Sequence, residues 1–215
     1  MIEIIPGILT SDPAKAREMI ARVNGVAERV HIDIIDGHFA DNKTIYPDVL
    51  NDIEGGALVD YHLMVKEPTH WLEKCVRGNV TRAIGHIELM QSQVAYVAKA
   101  QELGIEVGLA IDLDTPVSEI DEEVLLDLDV ILVMSVKAGH GGQEFNQSSL
   151  SKMLELDKMR SLSKYKYKIC DDGGVTFDKI DDVREDSVDE VVIGNRIFDG
   201  DLAENIKKYI EAAYR

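Results

Sequence analysis

The sequence predicts an α/β fold, a closed (β/α)₈ barrel of the TIM type, and three observations favour it. About eight apolar, β-branched runs recur along the 215 residues, which gives about 27 residues per run, close to the ~30 of a βα unit. The runs are apolar almost throughout, as in parallel strands that are buried on both faces. Stretches with helical signals separate them. The rival fold is a doubly wound open sheet, which usually has fewer strands and often a glycine-rich turn after strand one, where this chain offers only Gly7.

The order of the elements follows from these runs. The predicted strands are residues 2–9, 30–35, 58–64, 82–87, 107–111, 130–136, 167–170 and 191–193. Helices are predicted to begin at Asp12-Pro13, at Pro68 and at Pro116, where an N-cap residue or a proline opens a turn. A last helix, LAENIKKYIEAAY, follows the eighth strand. Because no low-complexity linker or proline-rich hinge divides the chain, we expect one catalytic domain over residues 1–215.

Charge and cysteine content exclude several classes of protein. With 40 acidic and 23 basic side chains the formal net charge is −17, which argues against nucleic acid and anionic membranes as partners. Two unpatterned cysteines suit a reducing compartment. The N-terminal MIEIIPGIL lacks the features of a signal peptide, and no stretch approaches the ~18 apolar residues of a membrane span. We therefore expect an unprocessed cytoplasmic protein.

Reactive side chains collect at the C-terminal ends of the predicted strands, which form the functional face of a barrel. His31, Asp33 and Ile35 alternate along strand two and share one face, His62 lies on strand three, and Asp172 ends strand seven. A single histidine on an apolar strand is more often a core residue, and Asp33 alone is compatible with a strand-end cap. Two imidazoles and two carboxylates at one barrel mouth together favour a site for one divalent metal ion, Zn²⁺, Fe²⁺ or Mn²⁺.

Glycines follow the last three strands and predict an anion site. They occur around His140 in KAGHGG, in the turn after strand seven and in the segment that ends strand eight, so that the candidate phosphate-binding residues are Gly139, His140, Gly141, Gly142, Gly173, Gly174, Gly194, Asn195 and Arg196. Glycines let backbone N–H groups approach an anion, and barrels frequently bind phosphate after strands seven and eight. A tight turn explains any one glycine pair equally well. The three clusters together favour phosphate.

The segments HIDIIDGHF, YHLM, VMSVKAGHGGQEF, DDGGV and IGNRIF, in this order, resemble the ribulose-phosphate 3-epimerase family. The resemblance implies a TIM barrel of the ribulose-phosphate-binding type. It also implies an isomerase of the pentose phosphate pathway that interconverts D-ribulose 5-phosphate and D-xylulose 5-phosphate with one divalent metal ion. Barrels of this family commonly associate, so a homo-oligomer is an open expectation.

The resemblance also implies roles for individual residues. The implied metal ligands are His31, Asp33, His62 and Asp172, and the implied acid/base pair is Asp33 and Asp172. Inversion of C3 requires a carboxyl group on each face of that carbon, and strands two and seven lie nearly opposite in an eight-strand ring. The implied apolar wall beside the metal is Ile35, Met64 and Met134, with Ile35 standing where the family has a methionine.

Departures from the family pattern fall on substrate contacts. Gly7 in IPGIL replaces a serine, KAGHGG replaces an NPGFGG-type loop, and GNRIF replaces a GSAIF-type ending. We expect Arg196 to contact an anion. For Lys137, a solvated loop position and a contact with phosphate are equally compatible with the sequence. For His86, a position behind the metal ligands and a position in the core are equally compatible with it.

Three other functions remain open on these residues. The sequence is compatible with a 3-epimerase of another ketose phosphate, such as D-allulose 6-phosphate. It is also compatible with a related barrel lyase or decarboxylase acting on a phosphorylated sugar or nucleotide, although the complete His/Asp/His/Asp set disfavours that function. A phosphosugar-binding barrel without turnover is supported by Gly7 and opposed by the two retained carboxylates.

Overall fold

Eight parallel strands close into a barrel in the order of the chain, with β8 pairing with β1, in a computed structural model that describes residues 1–52, 56–185 and 188–214. The strands are β1 (Glu3–Ile8), β2 (Arg29–Ile35), β3 (Leu58–Met64), β4 (Arg82–His86), β5 (Glu106–Ile111), β6 (Val130–Met134), β7 (Lys168–Asp172) and β8 (Glu190–Ile193). The predicted TIM-type barrel is therefore confirmed. Each strand overlaps the apolar run that predicted it.

Helices and short 3₁₀ turns connect the strands. The α-helices are α1 (Pro13–Val23), α2 (Leu72–Arg77), α3 (Gln93–Glu102), α4 (Ser148–Leu162), α5 (Ile180–Glu185) and α6 (Leu202–Ala213). Asp12 caps α1 as predicted, because its carboxylate accepts a hydrogen bond from the Ala14 N–H at 2.8 Å. The predicted last helix is also confirmed as α6, which Asp201 caps through the Glu204 N–H at 2.8 Å.

The prediction of a helix that begins at Pro116 is wrong. Two 3₁₀ turns, Val117–Glu119 and Glu122–Val124, replace it, and the backbone at Ile120 and Asp121 is extended. The side chain of Gln93 in α3 fills this break, donating to the Glu119 carbonyl at 2.7 Å and accepting from the Asp121 N–H at 3.0 Å. A tertiary contact thus takes the backbone groups that a continuous helix would have paired.

The barrel interior is closed by ion pairs at its N-terminal end. Arg82 is almost fully buried and pairs with Asp60 and with Glu190, whose Oε2 lies 2.7 Å from Nη2. Arg29 and Lys168 add contacts to the same two carboxylates. An apolar layer that includes Ile84 and Leu132 lies inside the barrel. The predicted functional residues lie at the opposite, C-terminal end of the barrel.

Two further expectations from the sequence can be compared with this fold. No helix in the described part of the chain has the length and apolar character needed to cross a membrane. Cys75 and Cys170 are free and buried, and burial raises the pKa of Cys75 to about 12. Both thiols therefore stay protonated and apolar near neutral pH.

Candidate active site

The strand register brings the four predicted metal ligands to one level of the barrel. Asp33 of β2 pairs directly with His62 of β3, and Asp172 ends β7 beside Met134 of β6. His31 lies two residues before Asp33 and therefore on the same, inward face of β2. Residues at every second position of parallel strands thus converge without any irregularity of the backbone.

One donor atom from each of these four residues lies within 4.8 Å of the others. Nδ1 of His62 is 3.0 Å from Oδ1 of Asp33 and 3.4 Å from Oδ2 of Asp172. Nε2 of His31 is 3.5 Å and 3.6 Å from the same two oxygens. Two nitrogens and two carboxylate oxygens therefore surround one point at the barrel mouth.

The donor set fits a divalent cation. The side chains of His31 and His62 are fully buried, yet neither ring nitrogen of His31 has a hydrogen-bond partner in the described part of the chain. Buried polar atoms are normally paired, and a cation at this point would supply a partner for Nε2 of His31, the nitrogen that lies beside Asp33 and Asp172. Imidazole and carboxylate together suit Zn²⁺, Fe²⁺ and Mn²⁺.

The charges at this cluster are strongly coupled. Burial would raise the pKa of Asp33, but the adjacent imidazoles of His31 and His62 outweigh burial and hold that pKa well below its ordinary value. Burial lowers the pKa of His62, but its hydrogen bonds to Asp172 and Asp33 outweigh burial and raise the pKa to about 9. Asp33 is therefore ionised near neutral pH. The positive charge of protonated His62 balances it.

A cavity of about 530 Å³ opens above the cluster, within the size range of small-molecule sites. Asp33 and Asp172 lie at its base, and Met64 and Met134 form part of its wall. All nine candidate phosphate-binding residues also line it: Gly139, His140, Gly141, Gly142, Gly173, Gly174, Gly194, Asn195 and Arg196. One ligand can therefore reach both the carboxylates and the glycine loops.

The glycines of the cavity differ in what the backbone requires of them. Gly174 has a φ of +70°, and a Cβ there would lie 2.5 Å from the backbone nitrogen of Phe145. Gly194 has a φ of −64° and open space around its missing Cβ. The turn after β7 therefore needs glycine for its own conformation, whereas Gly194 leaves free room at the cavity wall.

Several predicted residues lie elsewhere than at the cavity surface. Ile35 is fully buried and packs inside the barrel without lining the cavity. Lys137 does not line it either, because its ammonium pairs with Asp112 at 2.6 Å and Asp114 at 3.3 Å. A Cβ at Gly7 would lie 2.7 Å from Cγ1 of Val192, so a serine there requires Val192 to move.

His86 lies directly behind the cluster of predicted metal ligands and contacts His62. Its ring stacks on that of His62 at a centroid distance of 4.9 Å, and its Nδ1 lies 2.8 Å from Glu88. Of the two positions that the sequence allowed, the structure places His86 behind the ligands.

Sequence reasoning missed seven residues that line the cavity: Leu9, Val136, Gln143, Val175, Val192, Ile193 and Asp199. Leu9 and Val136 each lie two positions after an inward-facing residue, Gly7 and Met134, so strand alternation was a usable signal for both. Gln143 follows the glycines of KAGHGG, and its contacts depend on how that loop folds.

Comparison with known proteins identifies relatives over nearly the whole chain. The model of the ribulose-phosphate 3 epimerase family matches residues 3–198. Ribulose-phosphate 3-epimerase of Mycobacterium tuberculosis is 32% identical over 200 residues, covering 92% of this chain and 86% of the relative. The proteins of the same name from Bacillus subtilis and Escherichia coli are also 32% identical, covering 92% and 91% of this chain and 93% and 88% of the relatives.

Solved structures share the fold at much lower identity. A 3-keto-L-gulonate-6-phosphate decarboxylase from Vibrio cholerae superposes with a TM-score of 0.70 at 13% identity, covering 100% of this chain and 98% of the other. An orotidine 5'-monophosphate decarboxylase from Methanocaldococcus jannaschii gives a TM-score of 0.66 at 14% identity, with both chains fully covered. These two likenesses concern the barrel architecture alone.

Proposed function

The chain belongs to the ribulose-phosphate 3-epimerase family, and from this premise we propose that it inverts C3 of D-ribulose 5-phosphate to give D-xylulose 5-phosphate. The observation that carries the proposal is the pair of carboxylates, Asp33 and Asp172, which reach the base of one cavity from strands on different sides of the barrel. A binder of phosphosugars has no use for a carboxylate on each face of one carbon.

The proposed metal site consists of His31, Asp33, His62 and Asp172. A divalent cation held there supplies Lewis-acid stabilisation of the negative charge that develops on the sugar oxygens. The protein holds the two imidazoles in place by burial, and the register of β2 and β3 fixes the separation of Asp33 and His62.

Proton transfer is assigned to the two carboxylates. One takes the C3 proton from one face of the ketose, and the C–H electron pair becomes part of an enediolate that extends to the C2 carbonyl. The other, as a carboxylic acid, gives its proton to C3 from the opposite face, which inverts the centre and leaves this group ionised. Asp33 is ionised near neutral pH, as a general base must be, and positioned acid/base groups contribute ~10²- to 10⁴-fold to such a reaction.

The phosphate group is assigned to the glycine loops after β6, β7 and β8. The chain carries a net charge of −17, so local donors must hold the anion against the overall field. Backbone N–H groups of these loops and the guanidinium of Arg196, which lines the cavity, can provide them. Met64 and Met134 belong to the apolar part of the wall, and Ile35 packs in the same apolar cluster.

Three broader assignments accompany this function. We assign catalysis to residues 1–215 acting as one domain, and we place the protein in the cytoplasm, where its two buried free thiols stay reduced. Association into a homo-oligomer remains a prediction, and sedimentation of the purified protein tests it.

The experiment is an exchange assay in D₂O. The protein is purified, loaded with Mn²⁺ and incubated with D-ribulose 5-phosphate, and the sugar is followed by NMR. The proposal predicts deuterium at C3 together with formation of D-xylulose 5-phosphate. No exchange from a metal-loaded, folded protein contradicts it, and the same assay on D-allulose 6-phosphate compares the alternative substrate.

A further inference from the structure

Two side-chain amides hold the carbonyl groups of the glycine-rich loop after β6. Nε2 of Gln143 donates to the carbonyl oxygens of Lys137 at 2.7 Å and His140 at 2.8 Å. Nδ2 of Asn42 donates to the carbonyl oxygen of Gly139 at 2.8 Å. Both partners of Gln143 are acceptors, so its NH₂ group must face them, and this fixes the orientation of the amide.

These contacts determine which backbone groups the loop offers to a ligand. In a trans peptide the N–H of one residue points opposite to the carbonyl of the residue before it, and the described chain contains no cis peptide. The N–H of His140 therefore faces away from Asn42, and the N–H of Gly141 faces away from Gln143. Within the described residues no protein acceptor takes the N–H groups of 139–142, whereas the N–H of Ala138 donates to Asp112 at 2.9 Å.

Asn42 also connects this loop to the strand that carries two of the proposed metal ligands. The hydroxyl of Thr44, two residues further on, donates to the Asp33 carbonyl at 2.7 Å and accepts from the Ile35 N–H at 2.8 Å. Gly139 packs against Ala40 of the same segment, because a Cβ on Gly139 would lie 2.3 Å from Cβ of Ala40. Residues 36–44 thus join the backbone at Asp33 to the loop after β6.

We infer that Asn42 and Gln143 are positioning residues for phosphate: they hold the loop carbonyls and so keep the N–H groups of His140 and Gly141 free for the phosphate oxygens. The inference rests on the proposed function, which places the phosphate in this cavity, and adds two residues that need not touch the substrate to determine how tightly it binds. Anion sites built from successive N–H groups depend on such an orientation of the peptides.

The test measures two affinities by titration calorimetry, one for inorganic phosphate and one for Mn²⁺. Gln143→Met keeps the length of the side chain and removes the donor without adding charge. Asn42→Ala removes the hydrogen bond to the Gly139 carbonyl, also without adding charge. Gln101→Met, on the exposed face of α3, is the control that makes the same replacement away from the cavity.

We expect Gln143→Met to raise the dissociation constant for inorganic phosphate by about tenfold, and Asn42→Ala by about threefold, as loss of two hydrogen bonds and of one predicts. Mn²⁺ affinity stays within about twofold of that of the unmodified protein. Gln101→Met is expected to match the unmodified protein in both titrations.

Unchanged phosphate affinity in both variants overturns the inference. Loss of phosphate and Mn²⁺ binding together also overturns it, because the two side chains would then support the whole barrel mouth and not the anion site. The exchange assay in D₂O tests the proposed function separately. Exchange by the unmodified protein with unchanged phosphate affinity in the variants refutes the positioning role alone, whereas no exchange refutes the proposed function.

Discussion

Nδ1 of His62 lies 3.0 Å from Oδ1 of Asp33 because these two residues are direct partners in the parallel pairing of β2 and β3. A shift of that register by one residue would turn one of the two side chains to the outer face of the barrel. The contact between His62 and Asp33 therefore depends on the register along the whole length of β2 and β3. The buried apolar residues of the two strands stabilise that register. The separation of these two proposed metal ligands is therefore set by strand pairing.

Replacing His62 tests the proposed metal site. His62→Ala removes one of four donors from the cluster, and we expect the affinity for Mn²⁺ to fall by ~10²-fold or more. Calorimetric titration and metal analysis of the dialysed protein measure the effect. His70→Ala, at an exposed histidine in the 3₁₀ turn before α2, is the matched control, and equal Mn²⁺ affinity in both variants would remove His62 from the site.

Replacing Asp172 tests the acid/base pair. Asp172→Asn keeps the size of the side chain but cannot exchange a proton at C3, so we expect turnover of D-ribulose 5-phosphate to fall by ~10³-fold or more with the fold intact. A coupled assay for D-xylulose 5-phosphate measures turnover, and circular dichroism monitors the fold. Asp178→Asn, an exposed position after the same turn, is the control. Near-normal turnover in Asp172→Asn would exclude this residue from the mechanism.

The sequence contained enough information for the barrel and for the position of the cluster. Eight apolar runs predict eight buried parallel strands, and alternation within β2 predicts that His31 and Asp33 share the inward face. The ends of parallel strands meet at one rim of a barrel, so His62 and Asp172 could be assigned to the same site without a structure.

Contacts between distant segments could not be predicted from the sequence. Lys137 pairs with Asp112, which lies on the loop after β5, and no local pattern distinguishes that position from a phosphate contact. Asn42 reaches Gly139 across 97 residues. The break after Pro116 depends on Gln93 of α3, whereas the local sequence around it resembles a helix start.

Substitutions at two glycines of the cavity test phosphate binding and loop stability separately. Gly194→Ala meets open space at an ordinary φ, so we expect the free energy of unfolding to change by less than ~0.5 kcal/mol, while the added methyl group raises KM for D-ribulose 5-phosphate. Gly174→Ala requires a methyl group 2.5 Å from the Phe145 nitrogen at positive φ. We expect it to lower the free energy of unfolding by ~2 kcal/mol or more.

Urea unfolding and steady-state kinetics on both glycine variants measure these two effects. An unchanged KM in Gly194→Ala would show that phosphate does not approach the end of β8. A Gly174→Ala protein as stable as the unmodified one would show that the turn after β7 adopts another conformation.

The last prediction concerns the pH dependence of stability, through Glu88. Its carboxylate lies 2.8 Å from Nδ1 of His86 and accepts from the Asp112 N–H at 2.6 Å and the Thr115 hydroxyl at 2.7 Å. Burial would raise the pKa of Glu88, but the hydrogen bond from His86 and the other donors outweigh burial and lower the pKa to about 2. A carboxyl group whose pKa is lowered on folding stabilises the protein above its ordinary pKa of 4.5, and this contribution is lost as the pH falls from there toward 2.

We therefore expect Glu88→Gln to lower the free energy of unfolding by ~1–2 kcal/mol at pH 7, and the difference from the unmodified protein to shrink at pH 3. Urea unfolding at the two pH values measures it, with Glu155→Gln on the exposed face of α4 as control. A difference that is the same at pH 7 and pH 3 would mean that the ionised carboxylate of Glu88 contributes nothing to the stability of the barrel rim behind His62.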